Sequence, residues 1–219
     1  LSQHLELRTR LHDERIAVFA QQKDLAVVGP RRRRESARIG RDALLTLSAY
    51  AHVAPHAGLG TGVIPIYPRH PVLLAQEALT LSDVSGGRLR LGIGVSHRPV
   101  MEGALGLDMG RPLDVVREYV TVLRGALSGR VAHQGARYRV NWQSGLPKIP
   151  PAPPILLAGL APRMLELAGE IADGVVLWLA APAYVREQAL PAIRRVAVSD
   201  HLLLGGGSNV LVSDRGNDS

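Results

Sequence analysis

The feature that most constrains this chain is a regular alternation of short apolar segments and amphipathic stretches between residues 42 and 196. Four apolar segments have the length and composition of buried strands, and they lie at residues 57–65, 89–94, 155–159 and 174–179. Each is followed by apolar residues at helical spacing, which predict helices over about residues 71–81, 112–127, 162–171 and 182–195. Repeated strand–helix units imply an α/β fold with a parallel sheet, and strands that are apolar throughout imply burial of both sheet faces.

The segments between these units add local signals. Residues 131–140 alternate around a Gln-Gly-Ala turn, which predicts a small hairpin outside the main sheet, and residues 96–110 predict a glycine-containing loop. His70 is expected to cap the first helix, which then begins at Pro71. A doubly wound sheet and a (β/α)8 barrel both satisfy the pattern. Four units make only half of a closed barrel, which needs about 250 residues, so the pattern alone does not choose between them.

The net charge of +7 raises the question of a nucleic-acid partner. Much of the positive charge is concentrated in four consecutive arginines at residues 31–34. No aromatic residue is interspersed among them, and neither a zinc-ligand spacing nor a heptad repeat surrounds them. Because a run of like charges is usually a solvated segment, we expect no nucleic-acid partner.

Residue types argue against several other classes of protein. The chain has no cysteine, which excludes disulfides and thiolate metal sites. No histidine pair combines metal-ligand spacing with a supporting carboxylate, so we predict no metal site. No apolar stretch approaches the ~18 residues of a membrane span, and the first residues do not resemble a secretory signal. We therefore expect a cytoplasmic protein with no membrane association.

Two segments resemble a known family. Residues 59–99 have the sequence LGTGVIPIYPRHPVLLAQEALTLSDVSGGRLRLGIGVSHRP, and residues 155–178 have the sequence ILLAGLAPRMLELAGEIADGVVLW. In this order and spacing they resemble the luciferase-like monooxygenase superfamily, in particular its actinobacterial branch that uses the deazaflavin coenzyme F420. The resemblance covers about residues 42–196. It implies a TIM-type (β/α)8 barrel, with parallel strands, outer helices and an active site at the carboxyl ends of the strands.

The resemblance assigns cofactor contacts to Gly62 and Val63, which follow the first recognised strand. In relatives, the matching position often has a non-prolyl cis peptide that forms a bulge behind the flavin-type ring. A glycine at the first position reduces the steric cost of such a bond. The alternative is a glycine selected only for close packing within a barrel strand.

A second group of candidate residues follows the strand that ends at Gly94. In relatives this loop lies against the cofactor, which implies contacts from Val95 and Ser96. His97 is the candidate catalytic proton donor, because an imidazole can donate or accept a proton near neutral pH. Arg98 is expected to contact a phosphate or the polyglutamate tail of the deazaflavin, with a solvent-facing side chain as the alternative.

A third group forms the turn between the strand at residues 155–159 and the next helix. It comprises Gly159, Leu160, Ala161 and Pro162. Small residues allow backbone N–H groups to approach an anion, and the amino terminus of a helix favours negative charge. In the family, the matching turn holds the cofactor phosphate. By contrast, Asp173 enters a strand and is expected to form a turn and not to act as a catalytic acid.

The resemblance implies an oxidoreductase that transfers a hydride between coenzyme F420 and a small organic substrate. One alternative is an FMN-dependent monooxygenase on the same fold. A second is a truncated, inactive remnant, and a third is a fragment of a cell-wall flavoenzyme. The sequence does not identify the substrate. The oligomeric state that we consider for this chain is a homodimer.

The two ends of the chain differ from this central region. We divide the chain into an atypical basic segment (1–41), a luciferase-like barrel core (42–196) and a Gly-rich tail (197–219). Residues 1–41 do not match the first strands of the family and offer one weak strand, at residues 25–28. The tail offers another, at residues 209–213. We therefore expect a barrel that is incomplete at both ends, with poorly packed ends and low or no activity.

The tail has a resemblance of its own. Residues 202–218 have the sequence LLLGGGSNVLVSDRGND, which resembles the phosphate-binding segment of UDP-N-acetylenolpyruvoylglucosamine reductase. In that family the matching turn meets the FAD pyrophosphate, and its residues here are Gly205, Gly206, Gly207, Ser208 and Asn209. We interpret this tail as a junction or truncation and not as a second working site.

Overall fold

The structure is a computed structural model that describes residues 17–20, 41–178, 180–197, 202–206 and 210–212. The strands are β1 (Ala17–Ala20), β2 (Gly58–Thr61), β3 (Ile64–Pro65), β4 (Leu89–Gly94), β5 (Arg130–Gln134), β6 (Arg139–Gln143), β7 (Ile155–Ala158), β8 (Gly174–Trp178), β9 (Leu202–Gly206) and β10 (Val210–Val212). The helices are α1 (Ala43–Val53), α2 (Pro71–Val84), α3 (Pro112–Leu127), α4 (Pro162–Ile171), α5 (Pro182–Tyr184) and α6 (Leu190–Arg194), with π-helical segments at Pro99–Ala104 and Val185–Ala189.

The order of strands in the main sheet distinguishes between the two folds that the sequence left open. The order is β1-β2-β4-β7-β8-β9-β10, with β3 also paired to β4. The neighbours from β1 to β9 are parallel, and only β9 and β10 are antiparallel. A doubly wound sheet reverses its order at a switch point, whereas this sheet continues in one direction. The topology is therefore that of an open part of a barrel.

The central strands and helices agree with the sequence prediction, with local differences. The first predicted strand is divided into β2 and β3, and the last predicted helix consists of α5, a π-helical segment and α6 in succession. The hairpin is present as β5 and β6, which form a separate antiparallel sheet. His70 caps α2 as predicted, because its Nδ1 accepts a hydrogen bond from the Val72 N–H at 3.3 Å. The predicted loop at residues 96–110 is partly helical, because residues 99–104 form a π-helical segment.

The ends of the chain contribute more to the sheet than the sequence predicted. In the amino-terminal segment, β1 pairs with β2 in parallel, whereas the strand predicted at residues 25–28 lies outside the described residues. In the tail, β9 pairs with β8 in parallel, and its last two residues are Gly205 and Gly206. These two glycines are therefore in a strand and not in the predicted turn. The other three residues of that turn, at 207–209, lie outside the described residues.

The two faces of the sheet differ because side chains alternate along each strand. On one face, the side chains belong to the main hydrophobic core beneath the helices; from β4, β7 and β8 they are Leu89, Leu91, Ile93, Ile155, Leu157, Val175 and Leu177. On the opposite face, a second and smaller cluster contains Leu156 and Val176, with Val63 and Ala158 packed against it. Over the main core, α2 packs between α1 and α3, and α3 packs against α4, so the helices form an outer layer on that face of the sheet.

Candidate functional site

The bulge after β2 depends on the absence of side chains on β4. A Cβ added to Gly92 would lie 2.0 Å from the carbonyl oxygen of Thr61, and a Cβ added to Gly94 would lie 2.9 Å from Cγ2 of Val63. The buried Thr61 hydroxyl donates to the Gly92 carbonyl and accepts from the Gly92 N–H, each at 2.8 Å. These contacts hold the bulge directly on β4. The Gly62–Val63 peptide bond within it is cis, the geometry that the resemblance implied.

The loop after β4 turns sharply at Ser96, whose φ of 61° lies in the left-handed region. Val95 and Ser96 are half-buried, whereas His97 and Arg98 are exposed. The carbonyl of His97 accepts hydrogen bonds from the N–H groups of Val100 and Met101 at 2.9 and 3.0 Å, which begins the π-helical segment. A non-glycine residue in this backbone region costs about 1 kcal/mol or more and is often found at a functional site.

Arg98 has a partner within the loop that the sequence did not predict. Its guanidinium forms an ion pair and a hydrogen bond with Glu102, one helical turn further along the chain. The Glu102 carboxylate also accepts from the N–H of Met109 at 3.4 Å. An anion that bound Arg98 would therefore share its guanidinium with Glu102 or replace that carboxylate.

The turn between β7 and α4 leaves the helix without a capping side chain. Ala161 occupies the N-cap position and Pro162 the first helical position, and no side chain caps the first turn. The N–H of Gly159 donates to the Val176 carbonyl at 3.3 Å. The carbonyl of Leu160, whose side chain is exposed, accepts a hydrogen bond from the Tyr184 hydroxyl. An uncapped helix start presents N–H groups and a positive partial charge to an anion.

The three predicted segments lie at the same edge of the sheet. The bulge at Gly62 and Val63, the loop at residues 95–98 and the turn at residues 159–162 follow the carboxyl ends of β2, β4 and β7. Val63 and Ala158, the residue directly before Gly159, both pack against the small cluster of Leu156 and Val176, so the bulge and the turn are in proximity. The structure thus arranges an apolar floor next to an uncapped helix start. Such a surface fits a planar ring that has an anionic side chain.

The hairpin of β5 and β6 supports the loops that follow β3 and β4, a role that sequence reasoning missed. The Glu118 carboxylate on α3 accepts from the N–H groups of Tyr138 at 2.7 Å and Arg137 at 3.1 Å, and it contacts Nε2 of His133 at 3.3 Å. Burial alone raises the pKa of Glu118, but these hydrogen bonds together hold it below the ordinary value. The charged carboxylate therefore fastens the hairpin turn to α3.

From this turn, Arg137 extends toward the carboxyl ends of the strands. It donates to the Asp108 carbonyl at 2.7 Å, and its guanidinium lies 5.2 Å from the ring centroid of Tyr67. The Tyr67 hydroxyl in turn donates to the Met109 carbonyl at 3.0 Å. Burial, the largest influence, raises the pKa of Tyr67, so its hydroxyl keeps its proton. The loops that follow β3 and β4 are joined through these contacts.

A groove elsewhere on the surface does not coincide with the candidate site. It has a volume of ≈ 530 Å³ and lies between α3 and α4, with Arg124 and Asp173 among its lining residues. The Asp173 carboxylate accepts from the Ile155 N–H at 2.7 Å and pairs with Arg124, so Asp173 has a structural role at the amino ends of β7 and β8. Chemistry on parallel barrels occurs at the opposite edge of the sheet, and we therefore do not assign the site to this groove.

The described part of the chain contains neither a candidate metal site nor a membrane-spanning helix. No group of three or more His, Cys, Asp or Glu residues in it could hold a metal ion. Within the same residues, no helix has both the length and the apolar character to span a membrane.

A sheet wound in one direction, outer helices and a site at the carboxyl ends of the strands define a partial (β/α) barrel. The chain belongs to the luciferase-like monooxygenase family, which matches residues 15–202. This match is longer at both ends than the predicted 42–196. The prediction that residues 1–41 do not match the family is therefore wrong from residue 15 onward.

Relatives and solved structures agree with this assignment. The chain is 33% identical over 138 residues to a 5,10-methylenetetrahydromethanopterin reductase from Methanolobus tindarius, which covers 63% of this chain and 42% of that protein. It is similar in structure to a coenzyme F420 dependent tetrahydromethanopterin reductase from Methanopyrus kandleri, with a TM-score of 0.59, 25% identity and coverage of 70% and 49% of the two chains. A monooxygenase from Streptomyces bottropensis gives a TM-score of 0.62, 28% identity and coverage of 71% and 49%.

These likenesses confirm the predicted partial TIM-type barrel. The chain spans less than half the length of the first curated relatives that it matches. Sequence reasoning did not find the supporting role of Glu118 or the exposed Trp178 at the end of β8. The only signal for Trp178 was the alternation of β8, which assigns this residue to the inner face of the sheet.

Proposed function

We propose that this chain belongs to an oxidoreductase that transfers a hydride between coenzyme F420 and a small organic substrate. Family membership and the F420-dependent reductase of similar structure support the class of chemistry. The observation on which the proposal chiefly rests is the apolar floor at Val63 and Ala158 beside the uncapped start of α4. The apolar floor would bind the planar ring of a deazaflavin, and the helix start would bind its phosphate-bearing chain.

When bound, coenzyme F420 supplies a ring carbon that accepts or donates a hydride. Gly62 and Val63 support one face of the ring, and Val95 and Ser96 border it. The Ser96 hydroxyl would donate a hydrogen bond to the cofactor. His97, exposed beside them, is the proposed proton donor to the substrate.

The anionic part of the cofactor is assigned to the turn before α4. The backbone N–H groups of Leu160 and Ala161 would bind the phosphate, Gly159 would let it approach the turn while its own N–H stays bonded to the Val176 carbonyl, and Pro162 fixes the first helical residue. Arg98 adds a positive charge from the neighbouring loop, subject to its existing pair with Glu102. Both contacts are electrostatic, and salt should therefore weaken binding.

The experiment that tests the proposal is a titration of the purified chain with coenzyme F420 and, separately, with FMN, followed by ring fluorescence. We expect tighter binding of F420. Equal or tighter binding of FMN would contradict the choice of deazaflavin and leave the fold untouched. That outcome would favour the second candidate function, an FMN-dependent monooxygenase, for which the 28% identity to the Streptomyces bottropensis monooxygenase is the supporting observation.

A cytoplasmic location, a homodimer and the lack of a nucleic-acid partner stay predictions, and sedimentation of the chain with and without DNA tests the last two. The resemblance of residues 202–218 to the reductase of peptidoglycan precursor synthesis stays a prediction as well. Since Gly205 and Gly206 lie in β9, we expect no FAD binding by this tail, which a titration with FAD tests.

A further inference from the structure

The sequence of β8, Gly-Val-Val-Leu-Trp, places its side chains alternately on the two faces of the sheet. Val175 and Leu177 are buried in the main core beneath the helices. Val176 lies on the opposite face, in the small cluster that includes Val63. Trp178 shares the face of Val176 and lies about 6–7 Å further along the strand, at its carboxyl end. Its indole is therefore on the inner face, at the edge where the candidate site lies.

Trp178 is unusually accessible for a residue of its type. Its exposed fraction is 47%, although a tryptophan is normally among the most buried residues and a large apolar surface is costly to leave in water. Across the sheet, its partner in register on β9 is Gly206, which has no side chain to cover it.

A second apolar side chain lies at the same edge of the sheet. Leu160, in the turn before α4, is 44% exposed, and its carbonyl accepts a hydrogen bond from the Tyr184 hydroxyl. This bond joins the turn that follows β7 to the helical segment that follows β8. The apolar floor, Leu160 and Trp178 thus follow one another along the carboxyl ends of neighbouring strands.

We propose that Trp178 is a binding residue that packs against the planar ring of the cofactor. This inference rests on the proposed function, since it assumes that a ring occupies the floor next to Val63 and Ala158. A flat, apolar indole gains free energy from stacking on a conjugated ring, and such pairs prefer offset-stacked or edge-to-face geometry. The indole forms the wall of the site on the β8 side.

Two kinds of variant test this contact. We expect Trp178→Ala to weaken coenzyme F420 binding about tenfold, the loss typical of a removed stacking partner, and Trp178→Phe to keep most of the affinity because it preserves an aromatic face. Ring fluorescence gives the dissociation constant of each. Val84→Ala is the matched control, because Val84 is an exposed apolar side chain at the carboxyl end of α2, which leads to the amino end of β4, and its exposed fraction is 43%.

A second readout does not depend on affinity. The chain has two tryptophans, and Trp142→Phe leaves Trp178 as the only one. Acrylamide quenching of that variant should fall at saturating F420, because the ring covers the indole. If the wild-type chain binds F420 while Trp178→Ala binds equally well and acrylamide quenching is unchanged, the inference is overturned and the proposed function stands. If no variant and no wild-type chain binds F420, the proposed function itself fails.

Discussion

The two ends of the strands in this sheet use their polar groups differently. At the amino ends, Arg88 donates to the carbonyls of Ser85, Ala54 and Ala51 at 2.7, 3.0 and 2.9 Å, and also to that of Ala57. This single guanidinium satisfies backbone carbonyls from α1, from the loop before β2 and from the end of α2. Because these carbonyls already accept hydrogen bonds from Arg88, few polar groups at the amino ends are left to bind a ligand.

At the carboxyl ends, backbone and side chains are left accessible. Ser96 has a backbone conformation that is rare for its residue type, the first turn of α4 has no capping side chain, and Trp178 is half-exposed. Backbone carbonyls are thus satisfied by a half-buried side chain at the amino edge, whereas the carboxyl edge, where parallel barrels bind their ligands, keeps an uncapped helix start and an accessible indole. Substitutions at the two edges should therefore separate stability from ligand affinity.

The largest effect is expected from Gly92→Ala, which should lower both the free energy of unfolding and the affinity for F420. The new methyl group would lie 2.0 Å from the Thr61 carbonyl oxygen, so β4 and the bulge must move apart. We expect a loss of about 3 kcal/mol or more in the free energy of unfolding, together with loss of F420 binding. Urea denaturation measures the first effect.

Gly103→Ala is the control for this change, because a Cβ at Gly103 meets nothing within 4 Å. It should unfold like the wild-type chain. A Gly92→Ala chain of unchanged stability would show that the bulge is not packed on β4 as described.

The next effect should be confined to stability. Arg88→Ala removes the donor for several backbone carbonyls, and we expect the free energy of unfolding to fall by about 2–3 kcal/mol. The affinity of the folded fraction for F420 should not change, because the site is at the other edge. Arg111→Ala is the control, since the Arg111 side chain is 90% exposed and its pair with Asp114 stabilises little. A loss of affinity in Arg88→Ala without unfolding would contradict the separation of the two edges.

A smaller effect is expected at the hairpin and depends on pH. Because the pKa of Glu118 is held below its ordinary value in the folded chain, its charged form stabilises the fold. That stability is fully present above the unfolded pKa, about 4.3, and is lost as the pH falls through the lower folded pKa. We expect Glu118→Gln to cost about 1–2 kcal/mol at pH 7 and progressively less in acid. Denaturation at several pH values measures the difference, and a cost that did not shrink in acid would contradict the assignment.

Much of the fold could be predicted because its signals are local. Pro71, Pro112 and Pro162 begin helices in the sequence and in the structure, and apolar runs of four to six residues form the central strands. The strand at β1 was missed because it has only four residues and lies in a segment without periodicity. The parallel pairing of β9 was missed because its glycines resembled a phosphate-binding turn.

The site was predictable only in part, for a physical reason. Sequence spacing locates the residues that end a strand, so Val63, Ser96 and Gly159 were found at one edge. It does not show which side chains from distant segments meet. The pair of Arg98 with Glu102 was hidden for a different reason, because an exposed pair one helical turn apart requires a helix that the loop was not expected to contain. Glu118 and Arg137 act across the hairpin, which only the fold brings into contact with α3.

The smallest change, at Ala161, gives the sharpest separation of stability from binding. Ala161 occupies the N-cap of α4 with extended backbone angles and no capping bond, so Ala161→Asp and Ala161→Asn should each add a cap worth about 1 kcal/mol of stability. Only the aspartate adds a negative charge where we place the cofactor phosphate. We therefore expect Ala161→Asp to be more stable than the wild-type chain and yet to bind F420 several-fold more weakly than Ala161→Asn, with a difference that shrinks as salt is added. Thermal unfolding and ring-fluorescence titration of the two variants measure both quantities. Equal affinity of the aspartate and asparagine variants would place the phosphate away from the start of α4, because two side chains of the same size differ there only in charge.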